Sequence, residues 1–203
     1  MKLHWSPRSP FVRKVMIVAH ELGLTDRITC VRTVAATTKP HAELMQDNPL
    51  SKIPTLMLDD GTIVYDSPVI CEYLDGLHGG GTFFPADVKA RMTALRRQAL
   101  GDGALDFLLL LRDERMRQQP SPVHLSAYTT KQQSALKAFE REAADLAATP
   151  FNIGHVAIGT ALSYLDFRYA DEDWRTPHPR IAEWHKQFAA RPSVRATEPV
   201  DDS

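Results

Sequence analysis

Cysteine is scarce in this chain: Cys30 and Cys71 are the only two among 203 residues, and they stand far apart in no metal-binding or redox spacing. A reducing, cytoplasmic setting is therefore the expectation. An excess of one charge sign is also missing. Lys and Arg number 24 against 25 Asp and Glu, a formal net charge of -1, which removes the electrostatic reason to expect nucleic acid as a partner. No apolar run approaches the roughly 18 residues that cross a bilayer, so no membrane association is expected. Residues 1–5 do not resemble a signal sequence, and no repeat or low-complexity tract occurs. There is no Gly-rich phosphate loop, no HExxH helix and no Cys/His cluster, and the eight histidines are scattered. Nucleotide and metal mechanisms thus lack support.

What is present suffices for a core. At 43% hydrophobic and 24% charged, the chain fits one domain or two small ones. Residues 1–5 alternate, with Leu3 and Trp5 on one face, as in a half-buried strand. After Ser9-Pro10, the positions Phe11, Val12, Val15, Met16, Ala19 and Leu22 recur at helical spacing, and Gly23 stands where a C-terminal αL residue belongs. Residues 28–34 are rich in β-branched side chains and read as a second strand, giving a β-α-β unit with a parallel pair. A looser helix over 40–47 leads to a break at Asn48-Pro49. Residues 55–58 and 63–65 flank Asp59-Asp60-Gly61-Thr62, an antiparallel hairpin signal. Ser67-Pro68 then opens another helix, with Val69, Ile70, Tyr73, Leu74 and Leu77 as its stripe. His78-Gly79-Gly80-Gly81 punctuates the chain, and beyond it only helices are expected, over 88–118, 126–148, 152–169 and 178–190, the last ended by Arg191-Pro192. Gly101 and Gly103 allow a bend or a close helix contact. The expected domains are 1–80, α/β, and 86–203, all-α, with a frayed acidic tail after Arg195.

Several residues carry possible chemistry beside a plainer role. Ser6 and Ser9 are two hydroxyls at a strand-to-helix junction, and Ser9 reads first as an N-cap before Pro10. Capping leaves its proton available, because a hydroxyl donates as well as accepts. Arg13 and Lys14, in the first turn of that helix, read as solvated; the sharper alternative is that they raise the local positive potential. Ile53-Pro54 enters a strand, where a turn or an edge explains the proline. A simple cap accounts for Asp66-Ser67. Asn152-Ile153-Gly154-His155 keeps a good N-cap but lacks the acidic residue of a capping box, which places stability in question there. His155 reads as structural.

The stretches Ser9-Pro10-Phe11-Val12-Arg13-Lys14-Val15, Asn48-Pro49-Leu50-Ser51-Lys52-Ile53-Pro54-Thr55-Leu56 and Asp66-Ser67-Pro68-Val69-Ile70, with residues 161–168 and Arg191-Pro192-Ser193, together resemble the cytosolic glutathione transferases, most closely the bacterial, serine-type members. The resemblance covers nearly the whole chain. It implies a thioredoxin-like N-terminal domain, βαβ-ββα with a mixed four-stranded sheet, followed by an all-helical C-terminal domain. It also implies glutathione as co-substrate, a small-molecule electrophile as its partner, a homodimer and a role in detoxification. By the same resemblance Ser9 stabilises the glutathione thiolate, with Ser6 as its competitor. Ile53, before a cis Pro54, would pair through its backbone with the cysteinyl part, Lys52 would meet the glycine carboxylate, and Asp66 and Ser67 would receive the two ends of the γ-glutamyl group. Ser6, Arg8, Leu109 and Arg112, with Leu105, would border the electrophile pocket, although leucines on a long helix are more often core. No cysteine replaces Ser9, so thiol exchange through a mixed disulfide has no nucleophile. Two other readings remain: a glutathione-dependent isomerase or dehalogenase, and a non-catalytic interaction module of the same fold.

Overall fold

Four strands and eight helices form among residues 1–202, which a computed structural model describes. In chain order they are β1 (Lys2–Trp5), α1 (Pro10–Glu21), β2 (Thr29–Arg32), α2 (Leu44–Asp47), β3 (Thr55–Met57), β4 (Ile63–Val64), α3 (Ser67–Leu77), α4 (Val88–Arg115), α5 (Pro122–Ala148), α6 (Ile153–Arg168), α7 (Pro179–Ala189) and α8 (Pro192–Arg195). The sheet order is β2-β1-β3-β4, with β1 parallel to β2 and both other pairs antiparallel. This is a thioredoxin-like domain joined to a helical one.

Local chemistry sets the element ends in the first unit. Ser9 caps α1, its Oγ accepting the Val12 N–H at 3.3 Å. At the other end Gly23 takes φ 65°. Gly23 N–H then reaches the His20 carbonyl and Leu24 N–H the Ala19 carbonyl, the paired bonds of a Schellman stop. Between β3 and β4 the turn closes through Leu58 N–H to the Thr62 carbonyl, with Gly61 at φ 86°. Leu3, Val15, Ile17, Val18, Leu56, Ile70 and Leu74 fill the core between the sheet and the packed pair α1 and α3. Near the end of α3 the buried Asp75 carboxylate accepts the N–H groups of Phe83 and Phe84 from the segment that follows.

The expected domain limits need correction. Contacts group residues 1–87 with the segment from Pro192 onward, and leave residues 88–191 as the second unit. Pro192 does not merely end a helix but opens α8, which packs on α1. There Arg13 Nη2 donates to the Val194 carbonyl and Ser193 Oγ donates to the Glu21 carboxylate. Nor is the tail frayed through Asp202, whose carboxylate is held by Arg8 and Arg32. α5 also begins earlier than expected, at Pro122, because Ser121 caps it.

The second unit is organised around α6, in which every residue from Ile153 to Leu165 is buried. A helix apolar all round has no solvent face to offer and sits among its neighbours. Gly101 of α4 is where close approach is required, since a Cβ there would come within 2.5 Å of the Ala157 backbone. Gly103 meets nothing. Arg97 of α4, also buried, is neutralised by Glu142 of α5 at 2.7 Å. Burial opposes the Glu142 charge, yet hydrogen bonds from Arg97 and Arg96 hold its pKa below the ordinary value.

α6 has a complete capping box after all. Asn152 Oδ1 accepts from the Gly154 N–H, and the Asn152 N–H donates back to His155 Nδ1 at 3.2 Å. The missing carboxylate is replaced by an imidazole lone pair. The opposite ring nitrogen, Nε2, donates to the Leu146 carbonyl at 3.0 Å, which fixes the neutral tautomer. His155 is only 2% exposed. Burial, aided by the Arg97 and Arg191 charges, lowers its pKa from 6.5 to about 4.

A depressed base makes the unfolded chain the stronger proton binder between those values. Stability should therefore be full above pH 6.5 and decline as pH falls toward about 4, by a total on the order of 3 kcal/mol. Urea unfolding across this range measures the slope. His155→Asp, which restores a carboxylate acceptor, should flatten it, and a slope identical to wild type in that variant would remove His155 as its source.

Candidate active site at one end of the sheet

Strand register brings separate segments to one edge of the fold. His4 of β1 lies opposite Thr55 of β3, so the exit of β1 stands beside the entry of β3. Val64 of β4 lies opposite Leu56, which puts the exit of β4 at the same end. β2 runs parallel to β1 with Arg32 opposite Trp5, adding a fourth terminus. Residues 6–9, 52–54 and 65–67 thus share the end of the sheet that holds the exit of β1.

The structure therefore groups Ser6, Arg8, Ser9, Lys52, Ile53, Pro54, Asp66 and Ser67. Ser9 is half-buried, and its oxygen accepts the cap bond without using the hydroxyl proton. Ser6 is buried, with Oγ accepting the Arg8 N–H at 3.4 Å. Ile53–Pro54 is cis, as is Tyr65–Asp66. Because the ladder starts at Thr55, the main-chain groups of Ile53 lie outside it.

Leu109 and Arg112 belong to α4, in the helical unit. Leu109 is half-buried and Leu105 is wholly core. Arg112 is paired with Asp113 at 2.7 Å. Burial works against the Arg112 charge, but Tyr164 and Asp113 beside it leave its pKa raised.

Two plain readings are corrected by burial and geometry. Arg13 and Lys14 are not solvated: Lys14 is 0% exposed and Arg13 is buried with a guanidinium nitrogen on the Val194 carbonyl. Asp66, although it occupies the N-cap of α3, makes no side-chain cap bond. Its carboxylate is exposed, and the first-turn N–H groups of Ser67 and Val69 receive no acceptor from it. An anion-accepting helix terminus beside an exposed carboxylate suits a zwitterion carrying both charges.

Other residues in this region are assigned no individual role by the sequence. Asn48, 1% exposed, ties the loop before β3 together: its Nδ2 donates to the Lys52 carbonyl and to Thr55 Oγ1, and its Oδ1 accepts the Leu50 N–H. Ser51 takes φ 51° and its Oγ accepts the His41 N–H. His4 bridges Asp47 and Thr33 through its two ring nitrogens, both at 2.9 Å. Asn48-Pro49 in the sequence marks a break, but only the folded loop shows the side chain bonding inward.

Among the described residues no group of three or more His, Cys, Asp or Glu side chains converges as a metal site, and no helix is long and apolar enough to cross a membrane.

Known proteins share this fold. Residues 8–77 match the family model for the "Glutathione S-transferase, N-terminal domain" and residues 122–187 that for the "Glutathione S-transferase, C-terminal domain". The "Uncharacterized GST-like protein YibF" of Escherichia coli (strain K12) is 30% identical, with 98% of each chain covered. A glutathione transferase family member from Pseudomonas fluorescens Pf-5, solved with bound glutathione, is 41% identical with a TM-score of 0.93 and 98% of each chain covered. A further structure of a family member from Pseudomonas fluorescens Pf-5, with bound S-(propanoic acid)-glutathione, is 39% identical with a TM-score of 0.89 over 98% of each chain. With both halves matched and relatives similar over almost their whole length, this chain belongs to the glutathione S-transferase family.

Proposed function

We propose that the protein is a glutathione transferase of the bacterial, serine type, which conjugates the glutathione thiolate to small electrophiles. The observation that carries this is the gathering of Ser9, Ile53 and Asp66-Ser67 at one end of the sheet, fixed by the register of β1 with β3 and of β3 with β4. The glutathione seen in a relative of 41% identity supports the co-substrate. The S-alkylated glutathione seen in one of 39% identity is the kind of product such a reaction makes.

In this reading the γ-glutamyl carboxylate lies on the α3 N-terminus and Ser67, and its ammonium on Asp66. The cysteinyl backbone pairs with Ile53, while Lys52, exposed at the loop, meets the glycine carboxylate. The sulfur then reaches Ser9. A free thiol titrates near ~8.5, and a hydrogen bond donated to the thiolate lowers that value toward neutrality. Ser9 has the proton to give while its oxygen keeps the cap. Arg13 and Lys14 are not asked to act, since both are buried in the unit.

The same reading carries a cytoplasmic, detoxifying enzyme that works as a homodimer. Sedimentation velocity should then report a mass near twice that of one chain, and a monomer at micromolar concentration would remove that part. Isomerisation and dehalogenation are separated from conjugation by products, because conjugation consumes glutathione in step with the electrophile.

Ser9→Ala should lower turnover by about 10- to 100-fold and move the acidic limb of the pH–rate profile upward. An unaltered rate and profile would shift the role to Ser6. Asp66→Ala should weaken glutathione binding in calorimetry by about 10-fold or more. Thermal stability should change little in that variant, because the carboxylate makes no cap bond. Failure of wild type to bind glutathione at millimolar concentration would favour the interaction module instead.

A further inference from the structure

The acidic tail makes a contact that the proposed reaction does not use. Asp202 sits between two guanidinium groups: Oδ1 lies 3.0 Å from Arg8 Nε, and Oδ2 lies 2.6 Å from Arg32 Nη2 and 2.7 Å from Arg32 Nε. Asp201 adds a longer pairing to Arg8 at 3.8 Å. Three N–H groups from two arginines thus grip one carboxylate through both its oxygens. Such a charge-assisted, two-sided grip is how proteins select carboxylates over neutral groups.

Its place is as telling as its chemistry. Arg8 immediately precedes Ser9, in the turn leaving β1, and Arg32 is the last residue of β2, opposite Trp5 in register. Both arginines therefore stand at the end of the sheet where Ser9 lies. The occupant belongs to a surface segment. Residues 198–202 form no helix or strand, Val200 is exposed and Pro199 is only half-buried. These ion pairs are partly exposed to water and screened by salt, and a competing carboxylate could replace this one.

We propose that Arg8 and Arg32 are a carboxylate site for the electrophile, that the protein prefers acceptors bearing a carboxylate near the reacting carbon, and that Asp202 is an internal competitor for that site. This rests on the conjugation reading and names its substrate class. The step is an addition. The thiolate forms a C–S bond to an activated alkene, the π pair moves onto the conjugated carbonyl, and the neighbouring carbon takes a proton from water. No group leaves and nothing external is oxidised or reduced.

The test uses full-length protein with 3-benzoylacrylate and its methyl ester, which share one activated alkene and differ in charge. Wild type should favour the acid. Arg8→Gln should lower the acid-over-ester ratio of kcat/KM by about 10-fold or more, with the glutathione KM moving less than about 2-fold. Asp202→Asn, in the exposed tail, should raise kcat/KM for the acid about 3-fold and leave that ratio shifted toward it. If Arg8→Gln leaves the ratio where it was, or instead raises the glutathione KM, the site does not read the electrophile; in the second case it reads the carboxylate of glutathione itself. If the ester is conjugated and neither variant moves the ratio, this inference alone falls. If wild type consumes glutathione with neither compound while binding it, the conjugation reading falls and takes the inference with it.

Discussion

The pairing of β1 with β3 is the constraint on which the site depends. Side chains alternate along a strand, so a slip of one residue would turn Leu3 and Leu56 out of the core. Both are fully buried, and that burial locks the register. Once it is locked, the turn after β1 and the loop before β3 have no freedom to part. Ser9, Ile53 and Asp66 lie far apart in sequence but on chain segments whose exits a single hydrophobic layer has aligned. The candidate residues thus lie on loops and helix ends, while the alignment of those segments is set by apolar residues of the sheet.

A comparable division of labour holds in the helical unit. α6 is buried along nearly its whole length, so its ends and its closest neighbours must be exact fits: Gly101 admits the Ala157 backbone, and Gly159 admits the Phe188 ring. Burial of a helix start demands that its donors find partners. Asn152 and His155 meet that demand with an amide oxygen and an imidazole nitrogen. The imidazole differs from a carboxylate in one physical respect: it accepts without carrying charge, which suits a site flanked by Arg97 and Arg191 less through attraction than through the absence of a desolvated anion.

Features governed by neighbours in sequence were legible before the fold was known. Ser9-Pro10 and Gly23 bracket α1, and Asp60-Gly61 turns β3 into β4, because backbone dihedral preferences and caps act within a few residues. The helical half followed from periodicity, whereas the site residues came only from the family resemblance, and their gathering is seen in the strand register. What escaped was set by distant partners. Arg13 reads as a surface cation until α8 arrives from the far end of the chain to accept it. Asp66 reads as a cap until the backbone leaves its carboxylate unbonded. His155 escaped for another reason: pattern rules look for an acid at that step, whereas the physical requirement is only a lone pair in the right place.

The grouping of Pro192 and the residues after it with the first 87 makes the helical unit, in topological terms, an insertion into the domain that precedes it. During synthesis α1 is made before the helical unit and α8 after it, so the Arg13 guanidinium has no Val194 carbonyl to meet until residues 88–191 have been translated. The thioredoxin-like half therefore reaches its final packing only after the helical half has been translated.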